Sequence, residues 1–194
     1  MPCTRLRKSS ALEKQEDTQR PTGRRTIVLL TVLAIAISAI GVSWYLLQPK
    51  SQGQEGVLAT DFSLVDVEGN SFRLSDFRSK VVVLDFMATW CGGCRAEIPH
   101  LGEIWQKEEY RDKIVLVSIN IDPGESAETL KSFAQEFPYA TWIWARDTAN
   151  LAQVYEVVYV PKTVIIDTDG YIRFKHYDLT GASVLMSEID QLLS

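Results

Sequence analysis

Lys80-Val81-Val82-Val83-Leu84-Asp85-Phe86-Met87-Ala88-Thr89-Trp90-Cys91-Gly92-Gly93-Cys94-Arg95-Ala96-Glu97-Ile98-Pro99 decides both the fold and the chemistry of this 194-residue chain. Its first part, Lys80 to Met87, is a nearly continuous apolar run, the pattern of a central strand covered on both faces. After the cysteines, Ile98, Leu101, Ile104 and Trp105 recur at helical spacing, so the motif opens a helix, which Pro99 is expected to kink. Two thiols separated by two small residues at a helix start can close a disulfide within one turn. The unpaired N–H groups and the dipole at that end favour thiolate on the first of them. Cys91 is therefore the expected nucleophile, and Cys94, one turn inside and more buried, the expected resolving thiol. The rival reading, half of a structural zinc site, needs two further ligands from among Cys3, His100 and His176. Three cysteines, two of them in this pair, do not make a disulfide scaffold, and Cys3 reads most simply as an idle thiol, with lipidation or regulation the alternatives.

Outward from this stretch the chain alternates strands and helices. Upstream, Phe62–Asp66 and Ser71–Ser75 flank the turn signal Glu68-Gly69-Asn70 and predict an N-terminal hairpin. Downstream, Ile114–Ile121 reads as a second buried strand, Leu130, Phe133, Ala134 and Phe137 as one face of a helix, and Thr141–Ala145 as a short aromatic strand. Leu151–Tyr155 reads as a brief helix. Val160–Asp167 is a strand opening on a proline, and Asp169-Gly170 turns it into Tyr171–Tyr177 as an antiparallel hairpin. Leu185, Ile189 and Leu192 mark a closing helix. This order predicts an α/β fold with a central mixed sheet and helices on both faces.

The N-terminal part is of a different kind. Residues 1 to 26 carry seven Lys/Arg against three Asp/Glu, a net of +4, leaving about −9 on the remainder of a chain whose total is −5. Thr26 to Leu47 has no charged residue and meets the roughly 20 apolar residues needed to cross a bilayer. Arg20, Arg24 and Arg25 precede it and Trp44 and Tyr45 close it, so the basic tail is expected in the cytoplasm and the rest outside. A cleaved secretory signal or a buried core helix are the alternatives. The expected division is a cytoplasmic tail at 1–25, a single transmembrane anchor at 26–47, a polar linker at 48–57 and one folded domain at 58–194.

Trp90-Cys91-Gly92-Gly93-Cys94, the preceding Val83-Leu84-Asp85-Phe86, Pro99 and the later Val160-Pro161 together resemble the thioredoxin superfamily. Ala88-Thr89-Trp90-Cys91, Cys94-Arg95-Ala96-Glu97-Ile98-Pro99, Val164-Ile165-Ile166-Asp167-Thr168-Asp169-Gly170 and the N-terminal hairpin narrow the likeness to the membrane-anchored, extracytoplasmic TlpA/ResA branch. The likeness implies a thioredoxin-like fold and a thiol-disulfide oxidoreductase with no cofactor beyond its redox-active disulfide. Asp85, a carboxylate in an apolar strand, would be the proton acceptor for Cys94; a carboxylate satisfied at the strand's end is the alternative. Glu97 would tune the cysteines, against the reading of an ordinary solvated helix residue. Pro161 would be cis, not a trans proline at a strand start, so that Val160 faces the pair and binds substrate backbone. Trp90 is a substrate-facing wall or a core residue.

The sequence also departs from the branch. Gly92-Gly93 stands where relatives carry other residues, and Ser118 lies on the strand where a lysine accompanies the buried acid in proteins like classical thioredoxin. Lys162 follows the proline where threonine is commoner, which leaves open whether it compensates. The partners implied are protein substrates with disulfides, among them apocytochrome c and copper-delivery proteins, and a membrane electron donor similar to DsbD or CcdA. No nucleic acid is expected. A reductase at the cytoplasmic membrane, its domain in the periplasm or on the outer surface, is the leading reading; an oxidase or isomerase and a thioredoxin-like copper chaperone are the alternatives.

Overall fold

A computed structural model describes residues 56–194, and within them the elements follow the order read from the sequence. A hairpin pairs β1 (Ser63–Val65) with β2 (Ser71–Arg73), Leu64 opposite Phe72, around a turn in which the Asp66 carboxylate accepts the N–H groups of Glu68 and Asn70 and Gly69 takes a φ of +91°. Then come β3 (Val81–Met87), α1 (Gly92–Trp105), β4 (Ile114–Asn120), α2 (Ala127–Gln135) and β5 (Ile143–Arg146). The single turn α3 (Leu151–Val154), the hairpin of β6 (Lys162–Ile166) and β7 (Ile172–Tyr177), and α4 (Ala182–Leu193) complete the chain. The β6 ladder begins one residue after the proline, which has no N–H to give it. α1 stops at Trp105, and Glu108 and Glu109 form a separate turn with Tyr110. The chain leaves the helix to bury Tyr110, whose hydroxyl donates to Asp190 on α4.

The sheet has the order β5-β4-β3-β6-β7. β3 pairs in parallel with β4 and antiparallel with β6, so the sheet is mixed, as expected. All seven residues of β3 are buried, which is why its sequence shows no alternation. On one face α1, α2 and α4 lay Ile98, Leu101, Ile104, Leu130, Leu185 and Ile189 against Val81, Val83, Leu116 and Ile165. Burial of each of these side chains is worth about 2 kcal/mol. On the other face Leu64, Phe72, Leu74, Leu151 and Tyr155 cover Leu84, Phe86, Ile119 and Val164. Helices thus lie on both faces but unequally, because the hairpin occupies most of the second. It is tied to the sheet edge by the Val67 N–H donated to Trp144 O.

The expectations for residues 1–25, 26–47 and most of 48–57 fall outside the described residues. Among the described residues no helix is long and apolar enough to cross a membrane.

Candidate active site

Ala88, Thr89 and Trp90 carry the chain from β3 into α1, and Cys91 is the residue that caps that helix. Its backbone is extended (φ −76°, ψ 114°), and its Sγ accepts the N–H of Cys94 at 3.0 Å. A serine or aspartate oxygen ordinarily takes that N–H, so a sulfur stands where a helix best receives negative charge. Cys91 and Cys94 are joined as a disulfide with Cα atoms 5.3 Å apart, and Cys94 is the deeper of the two. Cys91 Sγ lies 3.7 Å from the carbonyl oxygen of Val160, and the Val160–Pro161 bond is cis. A Cβ on Gly93 would sit 3.2 Å from Cδ of Pro161, so a residue without one lets the first turn of α1 rest against the proline ring.

Beneath the pair, one row of residues crosses the sheet: Trp144, Ser118, Asp85, Thr163 and His176 are direct partners on successive strands. Paired residues share a face, so this row faces the side covered by α1. Trp142 Nε1–H donates to Ser118 Oγ at 2.9 Å, which commits the serine proton to Asp85 Oδ2 at 2.7 Å. Asp85 Oδ1 has no partner among the described residues. Burial pushes the Asp85 carboxyl well above the ordinary carboxylate range, the nearby Glu97 charge adds to this, and the Ser118 bond opposes it. Ser118 therefore occupies, as a hydroxyl, the place beside the acid where a lysine was in question.

Glu97 is fully buried, which overturns the reading of a solvated helix residue. Its Oε1 accepts the Thr163 hydroxyl at 2.9 Å and the Thr180 N–H at 3.3 Å, and its Oε2 has no partner among the described residues. Burial raises its pKa, with the Thr163 and Thr180 bonds and His176 pulling it back. His176 has its Nδ1 3.1 Å from Thr180 Oγ1 at the outer end of this network. Sequence reasoning missed Thr163, Thr180 and Trp142 as members. Thr163 carried a signal, a polar residue in an apolar strand like Asp85 and Ser118; Thr180, in a loop before α4, carried none.

Trp90 is 69% exposed, which removes the core reading, and its indole N–H donates to Asp122 Oδ2 at 2.6 Å. That bond and the Gly124 N–H hold Asp122 below the usual carboxylate range. Thr89, one residue earlier, gives its N–H and its hydroxyl to Glu125. Lys162 pairs with Phe86, not Asp85, and so points to the opposite face of the sheet. There it donates to Tyr155 O, Glu156 O and the Tyr177 hydroxyl, and does not compensate for the missing lysine. His100 lies beside Glu103, at 3.6 Å. Among the described residues no group of three His, Cys, Asp or Glu side chains is placed to hold a metal ion.

A dithiol capping a helix, pressed against a cis-proline and set over a buried acid, is the arrangement of thioredoxin-like thiol-disulfide oxidoreductases, and thiol-disulfide exchange is the reaction of this chain. The chain belongs to the AhpC/TSA family, whose sequence profile matches residues 56–175. It is 29% identical over 152 residues to the thiol-disulfide oxidoreductase ResA of Geobacillus kaustophilus, covering 77% of this chain and 86% of that one. It is 33% identical over 141 residues to the thioredoxin-like protein YneN of Bacillus subtilis, covering 72% and 79%. Its fold matches the crystal structure of the exposed lipoprotein thioredoxin Etrx1 of Streptococcus pneumoniae with a TM-score of 0.61 and 26% identity, over 69% of this chain and 100% of the other.

Proposed function

We propose that the chain is a membrane-anchored reductase of protein disulfides, working on the outer side of the cytoplasmic membrane. The observation that carries the chemistry is the Cys91 sulfur at the helix cap, 3.0 Å from the Cys94 N–H, above the half-satisfied Asp85. Cys91 thiolate attacks one sulfur of a client disulfide, forming a mixed disulfide and releasing the other client sulfur as thiolate. Asp85 takes the proton of Cys94, and the Cys94 thiolate attacks Cys91 Sγ. This bond displaces the second client sulfur and leaves the Cys91–Cys94 disulfide, two electrons having passed to the client. Trp90, Val160 and Pro161 hold the client segment, and Glu97 tunes the pair. A membrane donor of the DsbD or CcdA kind returns the two electrons.

The uncharged run Thr26–Leu47 behind a basic tail supports the anchor and its orientation. The similarity to a protein described as an exposed lipoprotein supports the compartment. The clients are the haem-binding thiols of apocytochrome c or the cysteines of copper-delivery proteins. The test is the reduction potential of the Cys91–Cys94 pair together with trapping by Cys94→Ala. A potential near about −270 mV and a client held as a mixed disulfide on Cys91 are expected; a value near about −120 mV makes the chain an oxidant and sinks the proposed direction.

A further inference from the structure

The segment that leads into Pro161 ends in the carbonyl that lies 3.7 Å from Cys91 Sγ, and it carries two exposed side chains of the kind a small domain usually hides. Val158 is 82% exposed and Tyr159 49%. Neither hangs free. The Tyr159 ring lies 4.6 Å from that of Tyr177, and the Tyr177 hydroxyl donates to Glu156 O while accepting from Lys162 Nζ at 2.9 Å. Lys162 spends its other two protons on Tyr155 O at 2.6 Å and Glu156 O at 3.0 Å. These bonds hold Glu156 in a left-handed conformation, φ 55°, that a residue with a side chain rarely adopts. A buried ammonium thus fixes both the start of the segment and the ring on which its aromatic residue leans.

We propose that Val158 and Tyr159, held in place by Lys162, are a specificity element that grips an apolar residue beside the reactive cysteine of a disulfide-bonded polypeptide. This rests on thiol exchange at Cys91 and not on its direction, its clients or the membrane anchor. The occupant follows from continuity with the reacting sulfur. A polypeptide whose sulfur meets Cys91 lies along Val160, and at about 3.3 Å per residue of extended chain its neighbours on one side pass Tyr159 and Val158. A small disulfide has nothing that reaches them. Lys162 is a positioning residue: it touches no substrate, but a loop already fixed in its binding shape loses less freedom on binding.

The experiment uses the full chain, reduced, and two synthetic peptides, each with one cysteine linked to thionitrobenzoate, flanked by leucine in one and by glycine in the other. Cys91 thiolate attacks the peptide sulfur and forms the mixed disulfide, the coloured thionitrobenzoate leaves, and Cys94 then releases the peptide thiol as the Cys91–Cys94 disulfide forms. The leucine peptide is expected to react roughly tenfold faster, the scale of one apolar contact. This ratio should fall towards one in Tyr159→Ala, in Val158→Ser and in Lys162→Met. The double variant Tyr159→Ala with Lys162→Met should lose no more than either alone. Tyr159 is at the surface, so its variant decides the matter even if the lysine variant does not fold. A ratio that survives Tyr159→Ala overturns the proposal, and one that survives a folded Lys162→Met overturns the part given to the lysine. No release from either peptide would overturn exchange at Cys91 itself, and the proposal with it.

Discussion

Asp85 and Lys162 sit on adjacent paired strands, one register step apart, and both are buried, yet they face opposite sides of the sheet and have opposite circumstances. The ammonium has one oxygen for each of its protons: Tyr155 O, Glu156 O and the Tyr177 hydroxyl. Among the described residues the carboxyl has one donor, Ser118, and an oxygen with no partner. A buried charge with every hydrogen bond made is architecture, because any change leaves a polar group stranded. A buried carboxyl held by one bond is easily neutralised, and its proton can move to and from a neighbour. The contrast separates a loop fixed by a satisfied ammonium on one side of the sheet from a carboxyl free to exchange its proton on the other.

The sharpest way to break the contrast is to remove each charge. Lys162→Met keeps the aliphatic length but takes a donor from two carbonyls and a hydroxyl, leaving Tyr155 O without the ammonium while Tyr177 and Glu156 keep their mutual bond, so unfolding of the full chain in urea should show a loss of roughly 3 kcal/mol. Asp85→Asn should do the reverse and raise stability at neutral pH, since a carboxylate that resists ionising is gone. Its cost is kinetic. With Cys91 loaded as a mixed disulfide, release by Cys94 at pH 7 should slow by about a hundredfold, the scale of a lost general base, as followed by rapid-quench analysis. Equal losses of stability in the two variants would erase the difference between satisfied and half-satisfied charge, and an unchanged release rate would remove Asp85 from the reaction.

The same parity explains what could be read from sequence. The Cys91–Cys94 pair, the central strand and the helix face of Ile98, Leu101 and Ile104 were legible because each is a local pattern: a spacing, an unbroken apolar run, a period. Asp85 was legible for the same reason, as a break in such a run. The fate of Lys162 was not, because one residue of register decides which face it takes, and register between β3 and β6 is a tertiary fact. Glu97 could be placed near the site by counting one turn from Cys94. Its complete burial depends on Thr163 from β6 and Thr180 from the loop before α4, neither of them close in sequence. Thr180 and Trp142 entered the site by packing alone.

A third consequence concerns stability against pH. Burial, and then the Glu97 charge, raise the Asp85 carboxyl well above its ordinary 3.8, so between these two values the folded chain keeps a proton that the unfolded chain has lost. The contribution is fully present below the unfolded value and disappears as pH rises through the folded one. Stability of the oxidised chain should therefore decline as pH climbs above about 4 and level off once Asp85 has ionised. Asp85→Asn should flatten part of this decline and Lys162→Met should leave its shape alone, lowering the whole curve. A decline of the same steepness in the asparagine variant would assign the proton elsewhere.

The smallest effect belongs to Glu97, which acts on Asp85 through space. Its negative charge is among the causes that raise the Asp85 carboxyl, second to burial. Glu97→Gln keeps an oxygen to accept the Thr163 and Thr180 bonds and places an amide where Oε2 has no partner among the described residues, so the fold around it is preserved. With the charge gone, Asp85 ionises at lower pH, and the pH profile of Cys94-dependent release should shift bodily to lower pH. Because burial is the larger cause, the shift leaves the Asp85 carboxyl above its ordinary range. A shift to higher pH would mean that Glu97 is protonated in the working enzyme and donates to the site. Glu97 would then join Ser118 in stabilising the Asp85 carboxylate.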